Sequence, residues 1–139
     1  LFLLKLGDRA GSVQALREAL ALNPESIVAA ERLLSLLAED EDHEAMIETI
    51  SAIEEHVTAP ILTWYRARAL YALEEYTQAM ENYAIVEGAF TEDALFLKEY
   101  GFALVEEGRR EEGQRLLRRA AKLTPEDNEL VDYVERMDG

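Results

Sequence analysis

The sequence predicts an all-α protein built from stacked pairs of antiparallel helices. Three observations lead to this fold class. Apolar residues follow the i, i+3, i+4, i+7 spacing of amphipathic helices, small or apolar residues recur at steps of about 33–34 residues, and glycine or proline separates most of the helical segments. A period of this length is typical of proteins in which each helix pair buries its apolar face against the next pair.

Three sets of positions keep this period in phase. The sets are Ala19, Ala52, Val86 and Ala120; Ser12, Ala45, Ala79 and Gly113; and Leu16, Thr49, Tyr83 and Leu117. Agreement among three sets indicates one repeated structural unit. We expect the small residues of the second set to lie where two helices cross, because a small side chain lets two backbones approach.

The helices follow in order from the apolar spacing and the punctuation. Residues 1–6 predict the tail of a helix that ends at Gly7-Asp8, and the lack of an initiating Met indicates a piece of a longer protein. Further helices are expected over residues 9–22, from the cap at 23–25 to about 38, and over 42–56, 60–73, 76–87, 92–107, 109–123 and 125–137. Asn23-Pro24-Glu25 is predicted to cap the second of these.

The stretch from Gly108 to Pro125 contains the clearest signals for the end of one helix and the start of the next. Gly108 is expected to end a helix in the left-handed conformation that glycine adopts without a steric clash. Gly113 lies inside the next predicted helix, where glycine costs about 1 kcal/mol relative to alanine, so we expect another backbone close to it. Thr124 and Pro125 predict the N-cap and first residue of the last helix.

Composition limits the classes of function. The net charge of −15 makes nucleic acid and anionic membranes poor partners, because both carry negative charge. The simplest interpretation of the charge itself is an acidic surface that keeps the helices solvated. The absence of cysteine excludes disulfides and thiolate metal sites. It fits the cytoplasmic protein that we expect, although an exported protein without cysteine would look the same. No apolar run is long enough to span a bilayer.

No motif for catalysis or metal binding emerges from the sequence. The acidic turn Glu39-Asp40-Glu41-Asp42 lacks the glycine and distal glutamate of a calcium loop, and His43-Glu44 is followed by Ile47 where a zinc helix needs histidine. No nucleophile–base pair or phosphate-binding glycine loop is present. We therefore expect neither an enzyme nor a cofactor or metal site.

The chain resembles the tetratricopeptide repeat family over nearly all of its length. Trp64 and Tyr71 match the Trp and Tyr of the family pattern, and Ala79 and Tyr83 match its later Ala-x3-aromatic element, whereas Ala67-Arg68 replaces its Leu-Gly pair. The resemblance implies a single domain over residues 1–139, a right-handed α-solenoid of about three and a half repeats. The expected boundaries are a partial repeat at 1–25, repeats at 26–59, 60–91 and 92–125, and a C-terminal helix at 126–138.

The resemblance also implies a function. In this family the first helix of each pair lines a concave groove that binds a peptide or helix of a partner protein, so we expect a non-catalytic interaction scaffold or adaptor. Carried onto this sequence, the groove would include Arg32, Ser35, Tyr65, Arg66, Ala69, Lys98 and Phe102. The basic members are expected to lie side by side and to hold an acidic group.

Two alternatives stay open at this point. The arginines of the groove could instead pair within the chain, with Glu31 and Glu99 as partners. The chain could also be a self-assembly module that forms homo-oligomers through exposed terminal helices. A basic face of Arg115, Arg118, Arg119 and Lys122 could then meet the acidic stretch at 39–55, although a solvated face is the simpler interpretation.

Overall fold

The computed structural model describes residues 2–138, with side chains for residues 8–138. This part of the chain is all-α, as predicted, and contains no strand. Its helices are α1 (Phe2–Leu22), α2 (Ile27–Glu39), α3 (His43–Glu54), α4 (Pro60–Ala72), α5 (Tyr76–Val86), α6 (Ala94–Glu106), α7 (Arg110–Leu123) and α8 (Asn128–Asp138). A 3₁₀ turn, Glu87–Ala89, follows α5 directly.

Helix α1 differs from the prediction. It runs through Gly7 and Asp8, where the sequence predicted the end of one helix and the start of another. Glycine inside a helix costs about 1 kcal/mol but does not forbid the conformation. The predicted structure of Leu1 and the side chains of residues 2–7 lie outside the described part of the chain.

The true helix caps lie three residues after the predicted ones. Ser26 accepts a hydrogen bond from the backbone N–H of Ala29, and Asp127 accepts one from that of Leu130. Asn23-Pro24 and Thr124-Pro125 instead lie in the preceding turns, so the predicted caps were wrong. Each of these Asx/Thr-Pro pairs imitates an N-cap followed by a first-turn proline, which is why the sequence misled.

Three equivalent turns end the first helices α2, α4 and α6. The residue at the left-handed position is Glu41 after α2 (φ 58°), Glu74 after α4 (φ 66°) and Gly108 after α6 (φ 87°). The left-handed stop predicted at Gly108 is therefore confirmed. The two glutamates adopt the same conformation without the steric freedom of glycine, so these two turns carry backbone strain.

The chain divides into two compact units, Leu1–Asn82 and Tyr83–Gly139, and the division falls within α5. The first unit has an aliphatic core. Its fully buried residues come from α2, α3 and α4, and side chains of α1 pack against them. The largest of these residues are Leu33, Leu34, Met46, Ile50 and Leu62.

The second unit has an aromatic core. Tyr83 stacks on Tyr100, with ring centroids 5.1 Å apart, and both rings contact Phe96. The hydroxyl of Tyr83 donates a hydrogen bond to Glu99 at 2.9 Å. Leu130, fully buried, anchors α8.

The backbones of α6 and α7 approach each other at two glycines. A β-carbon on Gly113 would lie 2.5 Å from the carbonyl oxygen of Gly101 and 2.7 Å from a methyl of Val105. The close backbone contact predicted for Gly113 is therefore present, and it explains why the sequence places glycine inside α7.

Helix starts correct the repeat spacing in the first unit. Helix α3 begins at His43 and α5 at Tyr76. The number of residues between these two starts is one fewer than that between the starts of α4 and α6. The starts of α2 and α4 show the same shorter step. Buried Met46 consequently occupies the position of Ala79, and Ala45 lies beside it, half-buried. The prediction that Ala45 lies at the helix crossing was one residue out.

Candidate functional site

The predicted groove residues lie on the first helices of their pairs, α2, α4 and α6. Because these helices belong to two units, we describe two surfaces separately. The α2/α4 surface comprises Arg32, Ser35, Trp64, Tyr65 and Arg68, and the α6/α8 surface comprises Lys98, Phe102, Asp127 and Tyr133. Helices α2 and α4 contact each other within the first unit.

Arg68 is the centre of the α2/α4 surface. Its guanidinium carbon lies 5.4 Å from the ring centroid of Tyr65 and 6.0 Å from that of Trp64. Both rings reach it because residues three and four apart share one face of a helix. Trp64 is buried, whereas Tyr65 and Arg68 are half-buried. The arrangement holds a cation in a fixed orientation at the surface.

Arg66 serves a different purpose from the one predicted. Its guanidinium pairs with Glu54 of α3 and donates a hydrogen bond to the side-chain oxygen of Asn82 in α5. These contacts tie three helices of the first unit together. The alternative of pairing within the chain is thus realised for Arg66, but with Glu54 rather than with Glu31 or Glu99.

The equivalence of Arg32 and Arg66 was wrong for the same reason as the Ala45 prediction. With the shorter repeat step, Leu33 corresponds to Arg66, and Arg32 corresponds to Tyr65. Arg32 is exposed and Ser35 half-buried, and both line a pocket of about 440 Å³ beside α1.

Ala69 does not lie on the surface. It is fully buried in the core of the first unit, so a partner cannot touch its side chain. The prediction of Ala69 as a groove residue is corrected accordingly. Alanine at this position allows tight packing instead.

The α6/α8 surface holds the remaining two predicted residues. Lys98 forms an ion pair with Asp127 at 2.8 Å, and Phe102 meets Tyr133 edge-to-face with ring centroids 5.0 Å apart. The hydrogen bond from Lys98, followed by that from the backbone N–H of Leu130, lowers the pKa of Asp127 below its usual range. Both predicted residues thus help to hold α8 in place.

Sequence reasoning missed Arg68 and misassigned Trp64. Trp64 was aligned with the tryptophan of the family pattern, which placed Arg68 at the glycine position. In the structure buried Ala67 occupies the place that Gly101 has in α6, since both lie equally far from the start of their helix. The signal that could have corrected the alignment of α2 with α4 was the apolar spacing of α2, whose Leu33 and Leu34 are buried.

Two of the four residues of the basic face predicted on α7 form ion pairs in the described part of the chain. Arg118 forms an ion pair with Asp138 at 2.7 Å, and Arg119 forms one with Glu92 at 3.1 Å. At the other end of the chain, Arg9 pairs with Glu39 and Asp40 of the acidic turn. None of the helices in the described residues is both long and apolar enough to cross a membrane.

The sequence matches one protein family and one curated protein. The family described as YpiA-like, C-terminal tetratricopeptide repeats matches residues 60–127. The TPR repeat-containing protein YpiA of Bacillus subtilis (strain 168) is 31% identical over 136 residues, which are 97% of this chain and 32% of that protein. The chain therefore spans about a third of the length of the curated relative that it matches.

Solved structures of low sequence identity share the fold. A crystal structure of MamA superposes with a TM-score of 0.78 at 14% identity, covering 94% of this chain and 77% of that one. YrrB, described as a TPR protein with an unusual peptide-binding site, gives a TM-score of 0.72 at 14% identity, covering 93% and 67%. The predicted α-solenoid fold class is confirmed, and residues 60–127 belong to the tetratricopeptide repeat family.

Proposed function

We propose that this chain is a non-catalytic scaffold that binds a segment of a partner protein on its first-helix surfaces. Tetratricopeptide repeat proteins are generally protein-interaction scaffolds. The observation that carries the proposal here is the cluster of Trp64, Tyr65 and Arg68 on α4. These are the three residue types most enriched among residues that dominate binding energy at protein interfaces.

The charge and rigidity of the α2/α4 surface determine which kind of partner segment it favours. The guanidinium of Arg68 is held against two aromatic rings, so little side-chain entropy remains to be lost when it pairs with a carboxylate. Exposed Arg32 adds a second positive charge on α2. In a chain of net charge −15, this local reversal of sign favours a partner segment that combines an acidic residue with an apolar one.

A peptide selection tests the proposal. A displayed library of random peptides is selected on the purified chain, and dissociation constants of the winners are measured by calorimetry for the natural protein and for Arg68→Gln and Tyr65→Ala. We expect each change to weaken binding about tenfold or more, as at interface hot spots. Arg119→Gln on α7 is the matched control and should bind normally.

Two results would contradict the proposal. One is a set of selected peptides that bind the two α4 variants as tightly as the natural protein. The other is a set that shows no enrichment for acidic residues. Retained helical circular dichroism in both variants would show that the fold itself is intact.

A second candidate function is self-assembly through the C-terminal helix. Only Leu130 of α8 is buried, whereas Val131, Val134 and Met137 stay half-buried on the described chain. An apolar stripe of this kind favours contact with another helix. Sedimentation equilibrium distinguishes the two candidates, because the scaffold permits a monomer and assembly requires a concentration-dependent mass that Val134→Glu lowers.

A further inference from the structure

The first unit contains a pocket of about 350 Å³ lined by the second helices α1 and α3 and by one residue of α2, and no residue of the α2/α4 surface lines it. This volume lies in the range of small-ligand sites, about 300–1,000 Å³. Its lining is mostly apolar and includes Leu20, Leu33 and Ile53. Three polar side chains also reach it: Arg17 from α1, and Thr49 and His56 from α3 and the turn that follows.

The pocket exists because three of its side chains are small or apolar, whereas longer polar side chains fill the equivalent positions of the next repeat. There, Arg66 pairs with Glu54 and reaches Asn82. The equivalent residues one repeat earlier are Leu33, Ala21 and Thr49, and all three line the pocket. The space that an ionic network occupies in one repeat is therefore open in the repeat before it.

The polar groups of the pocket have unused hydrogen-bonding capacity. Within the described residues, the side chains of Arg17, Thr49 and His56 form no hydrogen bond or ion pair with other residues. Arg17 is a permanent cation, and no carboxylate lines the pocket. The pocket is open to solvent, and Arg17 and His56 are exposed at its edge. An open apolar pocket with a cation and two further hydrogen-bonding groups is complementary to an anion that carries an apolar body.

We propose that this pocket binds an apolar carboxylate, with its carboxylate on Arg17 and its apolar body against Leu20, Leu33 and Ile53. The hydroxyl of Thr49 and the imidazole of His56 supply the remaining polar contacts. Such a group occurs in a free aromatic or aliphatic acid and in the C-terminal residue of a peptide that ends in an apolar side chain. The proposal is independent of the α2/α4 surface.

Fluorine NMR of para-trifluoromethylbenzoate, titrated with the protein, tests the proposal. We expect a saturable change in the fluorine signal. The neutral para-trifluoromethylbenzamide should bind at least about tenfold more weakly than the benzoate, since charge-assisted hydrogen bonds are stronger than neutral ones. Arg17→Gln should weaken benzoate binding to a similar extent. Ala52→Phe, on the exposed rim of the pocket, should abolish it by filling the opening.

Matched controls lie in the same chain. Ile85→Phe adds the same ring at the equivalent position of the next repeat, where Arg66 fills the space, and should leave binding unchanged. Arg119→Gln removes an exposed charge of α7, outside both the pocket and the α2/α4 surface, and should do likewise. Equal affinity for benzoate and benzamide, or undiminished binding by Ala52→Phe, would overturn the proposal.

A second titration separates the two sources of the carboxylate. The probes are N-acetyl-glycyl-phenylalanine with a free C-terminus and the same dipeptide as its amide. Binding of the free acid but not the amide, lost in Ala52→Phe, assigns the pocket to a peptide C-terminus as well. Benzoate binding without dipeptide binding assigns it to small acids, and failure of both acids contradicts the proposal.

Discussion

Gly113 of α7 faces the carbonyl oxygen of Gly101 in α6 so closely that a β-carbon on Gly113 would lie 2.5 Å from that oxygen. The atoms that such a carbon meets include backbone atoms, the Gly101 oxygen and the Val105 nitrogen at 2.9 Å, which cannot rotate away. The two glycines therefore set the distance between the two helices, and the packing of the second unit depends on both.

The first prediction concerns this contact. We expect Gly113→Ala to lower the free energy of unfolding by about 2 kcal/mol or more, because the helices must separate to admit the methyl group. Gly101→Ala should cost less, since its β-carbon would mainly meet the side chain of Leu117. Urea denaturation followed by circular dichroism measures both changes.

Gly11 supplies the control for that series. It lies inside α1 with nothing within 4 Å of an added β-carbon. Gly11→Ala should therefore stabilise the protein by about 0.5–1 kcal/mol through helix propensity. A Gly113→Ala variant as stable as the natural protein would show that α6 and α7 do not pack as described.

The second prediction concerns the left-handed turns. Glu74 adopts φ 66° without being glycine, so Glu74→Gly should stabilise the protein by about 0.5–1 kcal/mol, the part of the strain left after the entropy cost of glycine. Gly108→Ala should destabilise by a similar amount. A thermal melt of each variant checks the opposite signs, and equal shifts in one direction would refute the strain argument.

The third prediction separates structural from binding arginines. Arg66→Ala should lower the free energy of unfolding by about 1–2 kcal/mol because it leaves half-buried Glu54 without its partner. It should leave the affinity for selected peptides nearly unchanged, whereas Arg68→Gln should weaken peptide binding with little loss of stability. The opposite pattern would restore Arg66 to the binding surface.

The fourth prediction concerns pH. The pKa of Asp127 is lowered in the folded state by the hydrogen bond from Lys98, so the folded protein favours the ionised carboxylate. The stabilisation is present above the ordinary pKa of aspartate, about 3.9, and is lost as the pH falls through the lower folded value. The free energy of unfolding of Asp127→Asn should consequently fall less between pH 4 and pH 2 than that of the natural protein. The difference should equal the stabilisation that the lowered pKa of Asp127 supplies.

Carbon NMR of the carboxylate checks the fourth prediction directly. The titration midpoint of Asp127 should lie below that of a free aspartate and should rise in Lys98→Met. An unchanged midpoint in that variant would show that the ion pair does not hold α8.

The sequence predicted the helices well because their apolar spacing is strong. Predicted segments at 60–73 and 76–87 end within one residue of α4 and α5. It failed where two local signals compete. Asn23-Pro24 and Thr124-Pro125 have the residue types of a cap, and only the folded turn shows that Ser26 and Asp127 accept the hydrogen bonds.

The candidate site was harder to predict than the fold. A repeat step that is wrong by a single position rotates every assignment on a helix by about 100°, because a turn of helix holds about 3.6 residues. That error put buried Ala69 in the place of Arg68, and Arg66 in the place of Tyr65. Pairings such as Arg66 with Glu54 depend on contact between separate helices, which residue spacing along one chain does not encode.

The distribution of aromatic residues has an experimental consequence. The single tryptophan, Trp64, belongs to the first unit, whereas the stacked rings of Tyr83 and Tyr100 belong to the second. Tryptophan fluorescence and the near-ultraviolet circular dichroism of stacked tyrosines thus follow different halves of the molecule. Coincident denaturation curves from the two signals would identify one cooperative folding block, and separated curves would reveal two.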